Sequence, residues 1–223
     1  MFKKRHNLLS EKFYCAPAKS DLKIEFVGDS ITAGYGVLGN KGDAWSVTNS
    51  DCTGSYAYLT AQKLDADYSV VAWSGICTKA YMWANINMDN LYKRVSNSNT
   101  AQYAFDFSPD VVVLNLGTNE ATYLGSHYDY GAQFPVDYKE FLTYLREKNP
   151  DAYIICLYGM MGKNSTIDNG IKTALNEMND PKIVYNPFAF EADQNAANGH
   201  PCLLAQSVWA ELLSNYITNS VIA

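Results

Sequence analysis

Four short stretches of the sequence hold residues able to do chemistry. An apolar run, K-I-E-F-V, ends abruptly in Gly28-Asp29-Ser30. A second run ends in Trp73-Ser74-Gly75, and a third, V-V-V-L-N-L, in Gly117-Thr118-Asn119-Glu120. Gly199-His200-Pro201 stands just before the last helical pattern. Singly, each has a plain structural reading. Ser30 reads as a helix cap, Gly75 as a turn residue, Asn119 as a cap and His200 as a loop histidine. Together they fit one task. A serine hydrolase needs a hydroxyl nucleophile, an imidazole to take its proton, and donors for a tetrahedral oxyanion. Ser30, His200, the Gly75 backbone N–H and the Asn119 side-chain amide supply these parts.

Such residues act together only if the fold gathers them. Apolar runs rich in β-branched residues predict strands at 23–28, 69–73, 111–116, 153–158 and 183–186. Helical patterns fall between them, at 54–66, 136–148, 166–179 and 202–219. In the second, Tyr138, Phe141, Leu142 and Leu145 share one face, and Asn149-Pro150 ends it. The segment 76–108 is less regular and reads as one helix and a long loop. Strands alternating with helices predict an α/β fold, a three-layer α/β/α sandwich around a five-stranded parallel sheet. Ligands bind such sheets at the carboxyl ends of the strands, where three of the stretches fall, and all four would sit on that rim. Residues 1–20 read as a polar lead-in and 21–223 as one catalytic domain.

With 48% hydrophobic and 18% charged residues, the 223-residue chain can bury a sizeable core. A net charge of −6 argues against a nucleic-acid partner, whose phosphates demand a basic face. No apolar run is long enough to span a membrane. Met1-Phe2-Lys3-Lys4-Arg5 starts like a secretion signal, but no apolar stretch follows it. The chain therefore stays inside the cell, or a leader or upstream domain precedes it. Cys15, Cys52, Cys77, Cys156 and Cys202 have no metal-ligand spacing, and Cys156 reads as a small core residue. Gly34-Tyr35-Gly36-Val37-Leu38-Gly39 matches a dinucleotide fingerprint by letter, but the strand stops several residues earlier and loop follows, so it predicts no cofactor.

The order of the four blocks resembles the SGNH (GDSL-type) hydrolases over residues 21–223. More narrowly, P-A-K-S-D-L-K-I-E-F-V-G-D-S-I-T-A-G-Y-G, S-Y-A-Y-L, W-S-G, N-L-G-T-N and G-H-P are similar to carbohydrate esterase family 2. That resemblance implies flavodoxin-like topology and removal of acetyl groups from plant cell-wall polysaccharide, without metal or cofactor. It implies Ser30 as nucleophile, His200 as general base and acid, and an oxyanion hole of the Ser30 and Gly75 N–H groups with the Asn119 amide. It also implies an extracytoplasmic or secreted protein, with a cytoplasmic one left open. The first 20 residues then read as the remnant of a junction with an upstream domain.

Two positions depart from the family pattern. G-T-N-E stands where G-T-N-D is usual, with the donor Asn119 unchanged. Ala197 stands three residues before His200, where most members place the orienting Asp. We therefore expect a Ser-His dyad with a backbone carbonyl holding the imidazole, Asp193 being the alternative. His6 lies in the lead-in and His127 in the expected loop after the third strand, from which it reaches the same rim. Tyr81, Trp83, Tyr123, His127, Tyr128 and Tyr130 are expected in rim loops as possible contacts for an acetylated carbohydrate substrate, and Trp209 in the core. The loop after the fourth strand carries Met160 and Met161 rather than an aromatic ring. Two other readings remain: a short-chain esterase, lysophospholipase or thioesterase of the same fold, or a glycan-binding module without catalysis.

Overall fold

The structure, a computed structural model, describes residues 20–185 and 196–222. The lead-in with His6 and Cys15, and Asp193, lie outside the described residues. Five strands, β1 (Lys23–Gly28), β2 (Asp67–Ala72), β3 (Val111–Asn115), β4 (Tyr153–Leu157) and β5 (Ile183–Tyr185), form one sheet in the order β2-β1-β3-β4-β5. Every pair is parallel. This is the flavodoxin-like order, in which the chain reverses its direction of winding between β1 and β3.

Successive residues of the central strands point to opposite faces and feed two cores. Ile24, Phe26, Val111, Val113, Ile155 and Leu157 pack under α1 (Tyr56–Lys63) and α6 (Leu203–Ser220), around a fully buried Trp209. Val27, Val112, Leu114, Ile154 and Cys156 pack on the other face under α4 (Tyr130–Lys148) and α5 (Ser165–Met178), with Phe134, Tyr138, Phe141 and Leu142 inserted. The result is the expected three-layer α/β/α fold. No helix among the described residues is long and apolar enough to cross a membrane.

Two local expectations change, and a third holds. β2 starts two residues early because it is an edge strand with alternate residues exposed, so its opening Asp67-Tyr68 needs no apolar run. The segment 76–108 is, as expected, one helix and a long loop: the helix is the four-residue α2 (Met88–Leu91), and an isolated bridge joins Arg94 to Gln102. The chain after β3 is not a loop. Helix α3 (Thr118–Leu124) begins there at once, and α4 follows from Tyr130. Tyr123 and Tyr130 are therefore helical, and only 125–129 connects the two helices. α4 accommodates Pro135 near its start, where Gly131 and Ala132 donate to Tyr128 and Asp129, three residues back rather than four.

Candidate active site

The register aligns Gly28 with Ala72 on one side and Asn115 on the other, and Asn115 with Leu157. The carboxyl ends of these strands thus form one rim, and Ser30 and Asn119 follow β1 and β3, on either side of the topological switch. After β1 the chain turns back on itself. A Cβ at residue 28 would lie 2.1 Å from Thr32 Oγ1, so only glycine allows the turn. Asp29 Oδ1 accepts the Ile31 N–H at 2.9 Å and steadies it. Ser30 caps no helix. Gln206 of α6 ties the region together, accepting the Tyr56 N–H at 2.8 Å and donating to Ile31 O at 3.1 Å.

His200 sits between the short helical turn Ala197–Gly199 and α6. Its Nε2 lies 2.9 Å from Ser30 Oγ and its Nδ1 3.2 Å from Asn198 O. Nδ1–H donating to that carbonyl leaves Nε2 as the acceptor facing the hydroxyl. Asn198 holds a left-handed conformation (φ 51°), and its own N–H donates to Asp43 O at 2.8 Å. Ala197 is fully buried, and its N–H donates to Gly36 O. The glycine run at 34–39 is thus the bed of the histidine loop: a Cβ on Gly39 would stand 2.6 Å from the Ala197 methyl. Burial pushes the His200 imidazole below its ordinary value of 6.5, partly offset by hydrogen bonds to backbone carbonyls.

A cavity of about 420 Å³ opens over this pair, lined also by Gly75, Trp83, Asn119, Met161 and Tyr35. Gly75 has φ +77°, and a Cβ there would meet Trp83. Neither the Ser30 nor the Gly75 N–H has an intramolecular acceptor among the described residues. Asn119, in the first turn of α3, donates to Ile76 O at 2.9 Å and reaches Asp29 Oδ2 at a long 3.4 Å. Its neighbour Glu120 is fully buried, and its Oε1 accepts both the N–H and the hydroxyl of Thr78 at 2.6 Å. Two successive residues of α3 therefore grip the segment just after Gly75. The longer acid at 120 holds that segment and leaves Asn119 facing the cavity. Burial pushes Asp29 up to about 7, and Glu120 is raised for the same reason.

The structure thus brings Ser30, His200, Gly75 and Asn119 to one cavity. Of the aromatic candidates, Trp83 lines it and Tyr81 stands exposed nearby in sequence. Tyr123, His127 and Tyr128 line a separate depression, where His127 stacks on Tyr123 at 3.9 Å. Sequence reasoning missed Tyr35, Gln206 and the role of Glu120. Tyr35 lay inside the glycine run set aside as a chance match; Gln206 carried no local signal.

Comparison with known proteins agrees with the fold and identifies the family. The sequence profile of the GDSL-like Lipase/Acylhydrolase family matches residues 26–196. The chain is 32% identical, over 95% of its length, to the cellulase/esterase CelE of Acetivibrio thermocellus, but spans only 27% of that protein. A family two carbohydrate esterase from Clostridium thermocellum, solved in complex with cellohexaose, superposes with a TM-score of 0.79 at 29% identity, covering 92% of this chain and 66% of that one. The acetyl xylan esterase Est2A of Butyrivibrio proteoclasticus does so with a TM-score of 0.79 at 27% identity, covering 92% and 65%. With its profile matched over most of the sequence, the chain belongs to the GDSL-like lipase/acylhydrolase family, among relatives that are carbohydrate esterases of family 2.

Proposed function

We propose that the chain is a serine esterase that removes O-acetyl groups from acetylated carbohydrate of the hemicellulose type. The observation that carries this reading is the Ser30–His200 pair, 2.9 Å apart with the far imidazole nitrogen on Asn198 O. The names of the relatives support the substrate class, since they include acetylxylan esterases.

In this reading Ser30 Oγ attacks the acetyl carbonyl carbon while His200 Nε2 takes its proton. The carbonyl oxygen becomes an oxyanion and receives the free N–H groups of Ser30 and Gly75. It also draws the Asn119 hydrogen held only by the long contact to Asp29. Collapse breaks the ester bond, and the imidazolium returns the proton to the departing sugar oxygen. Water then attacks the acetyl-enzyme with His200 again as base, releasing acetate and restoring Ser30. Trp83, 69% exposed at the cavity mouth, offers a flat face to a sugar ring. Such polymers lie outside the cell, which is where this reading places the protein.

The test is acetate release from acetylated xylan and glucomannan by the wild type and Ser30→Ala. Release by the wild type alone supports the proposal. Binding without release would make the chain a glycan-binding module. Rates on nitrophenyl esters that rise beyond acetyl would point to a lipase or thioesterase instead.

A further inference from the structure

Among the described residues, the imidazole of His200 receives no carboxylate; Nδ1 meets a neutral carbonyl. An acid in that place ordinarily does two things: it orients the ring, and it stabilises the imidazolium formed when the nucleophile is deprotonated. The Asn198 carbonyl orients the ring but carries no charge. We propose that the aromatic ring of Tyr35 does the second task, as a positioning residue that stabilises the His200 imidazolium. This rests on the reading of His200 as the base.

The geometry supports it from four sides. The Tyr35 and His200 ring centroids are 4.3 Å apart and tilted by 39°. That is well inside the distance, roughly 6 Å, at which a cation gains from an aromatic face. The Tyr35 N–H donates to Ser30 O at 3.0 Å, tying the ring to the nucleophile's own backbone. Its hydroxyl accepts from Asn198 Nδ2 at 3.4 Å, on the residue whose carbonyl orients the imidazole. Trp45 stacks on Tyr35 at 5.5 Å and 17°, and is itself anchored by Nε1–H donating to Ser50 Oγ at 2.9 Å. Ser50 Oγ also accepts the Gly36 N–H at 2.9 Å, so the outer ring is bound to the same glycine run. A ring held this way loses little freedom when the charge appears.

The experiment uses nitrophenyl acetate, which has no sugar, so that a glycan contact by Tyr35 is not read. Tyr35→Leu should lower kcat about 5- to 30-fold with KM changed less than about threefold. Tyr35→Phe, which keeps the ring, should restore kcat to within about threefold. Because Leu also changes the packing of the loop, the deciding series places phenylalanines of increasing fluorination at position 35. They keep the ring's shape and drain its negative face, so kcat should fall step by step. A flat series, or an effect confined to KM, overturns the proposal. Ser30→Ala and His200→Ala run alongside. If either stays active, the reading of the site itself has failed; if both are dead and the series is flat, only the role of Tyr35 has.

Discussion

The Nδ1 atom of His200 lies 3.2 Å from the carbonyl oxygen of Asn198, two residues earlier in the chain. A backbone acceptor of this kind cannot be deleted by changing a side chain; it can only be moved by changing the backbone. Asn198 sits at φ 51°, a conformation glycine adopts freely and a β-branched residue resists. Asn198→Gly should therefore keep kcat within about tenfold, while Asn198→Val should lose far more, because strain of about 1–3 kcal/mol displaces the carbonyl. Steady-state kinetics on an acetyl ester, with circular dichroism as a folding check, decides. Equal activity in the two variants would mean that the carbonyl does not orient the ring.

Asp193 is the rival partner for that imidazole. If the carbonyl suffices, Asp193→Ala stays within about tenfold of wild type, far from the roughly 10⁴-fold loss seen when a triad acid is converted to its amide. A folded variant that loses 10³ or more in kcat would reveal a displaced triad. Restoring the acid at the usual family position should not help. Ala197 is fully buried against Gly36 and Gly39, so Ala197→Asp overpacks the site and should lower Tm without raising kcat.

Much of this was legible because the strands of a buried parallel sheet write themselves as apolar runs. The residues after them inherit their place on the rim, so Ser30, Gly75 and Asn119 could be grouped before any geometry was known. What escaped depends on contacts between distant segments. T-N-E-A-T-Y-L has no apolar stripe, and α3 is held instead by packing and by Glu120 reaching Thr78, 42 residues away. Gln206 meets Tyr56 across 150 residues and Tyr35 meets Asn198 across 163, with nothing local in the sequence to announce either. The glycines at 34–39 looked like a failed cofactor motif; their spacing makes room for Ala197.

Of the proposed oxyanion donors, Asn119 is the one whose side chain can be removed. Asn119→Ala should lower kcat roughly 10²–10³-fold with a much smaller change in KM, because its second hydrogen is drawn fully only by the oxyanion. Some of the loss will come through the Ile76 carbonyl it now holds, so Asn119→Asp, which keeps the shape and loses the donor, should be comparably poor. An effect on KM alone would make Asn119 a ground-state binding residue.

In the proposed mechanism the imidazole must be neutral to accept the Ser30 proton. Burial lowers its pKa below 6.5, so the neutral form persists to lower pH than for a free histidine. kcat/KM, which reports the free enzyme, should rise with pH through the imidazole ionisation, with a midpoint under 6.5. A midpoint above 6.5 would mean that stabilisation of the imidazolium, by the Tyr35 ring or by a charge such as Asp193, outweighs burial, and Tyr35→Leu and Asp193→Ala tell the two apart.

Asp29 makes the opposite kind of prediction. Its carboxyl is fully buried behind Asn119, and burial raises it from an ordinary 3.8 to about 7. A carboxyl raised by folding contributes its stability below pH 3.8 and loses it as pH climbs toward 7, because the unfolded chain ionises freely there and the folded one does not. Asp29→Asn removes that dependence. Its amide oxygen can still accept the Ile31 N–H, but its amide nitrogen would face that of Asn119, so at pH 4 the variant should be no more stable than wild type. From pH 4 to pH 8 the difference in Tm should then move steadily in the variant's favour, corresponding to a few kcal/mol at most. Thermal melts of both proteins across that range provide the measurement. A difference that stays constant with pH would show that Asp29 ionises in the fold as readily as in the unfolded chain, with its charge standing directly behind the oxyanion donor.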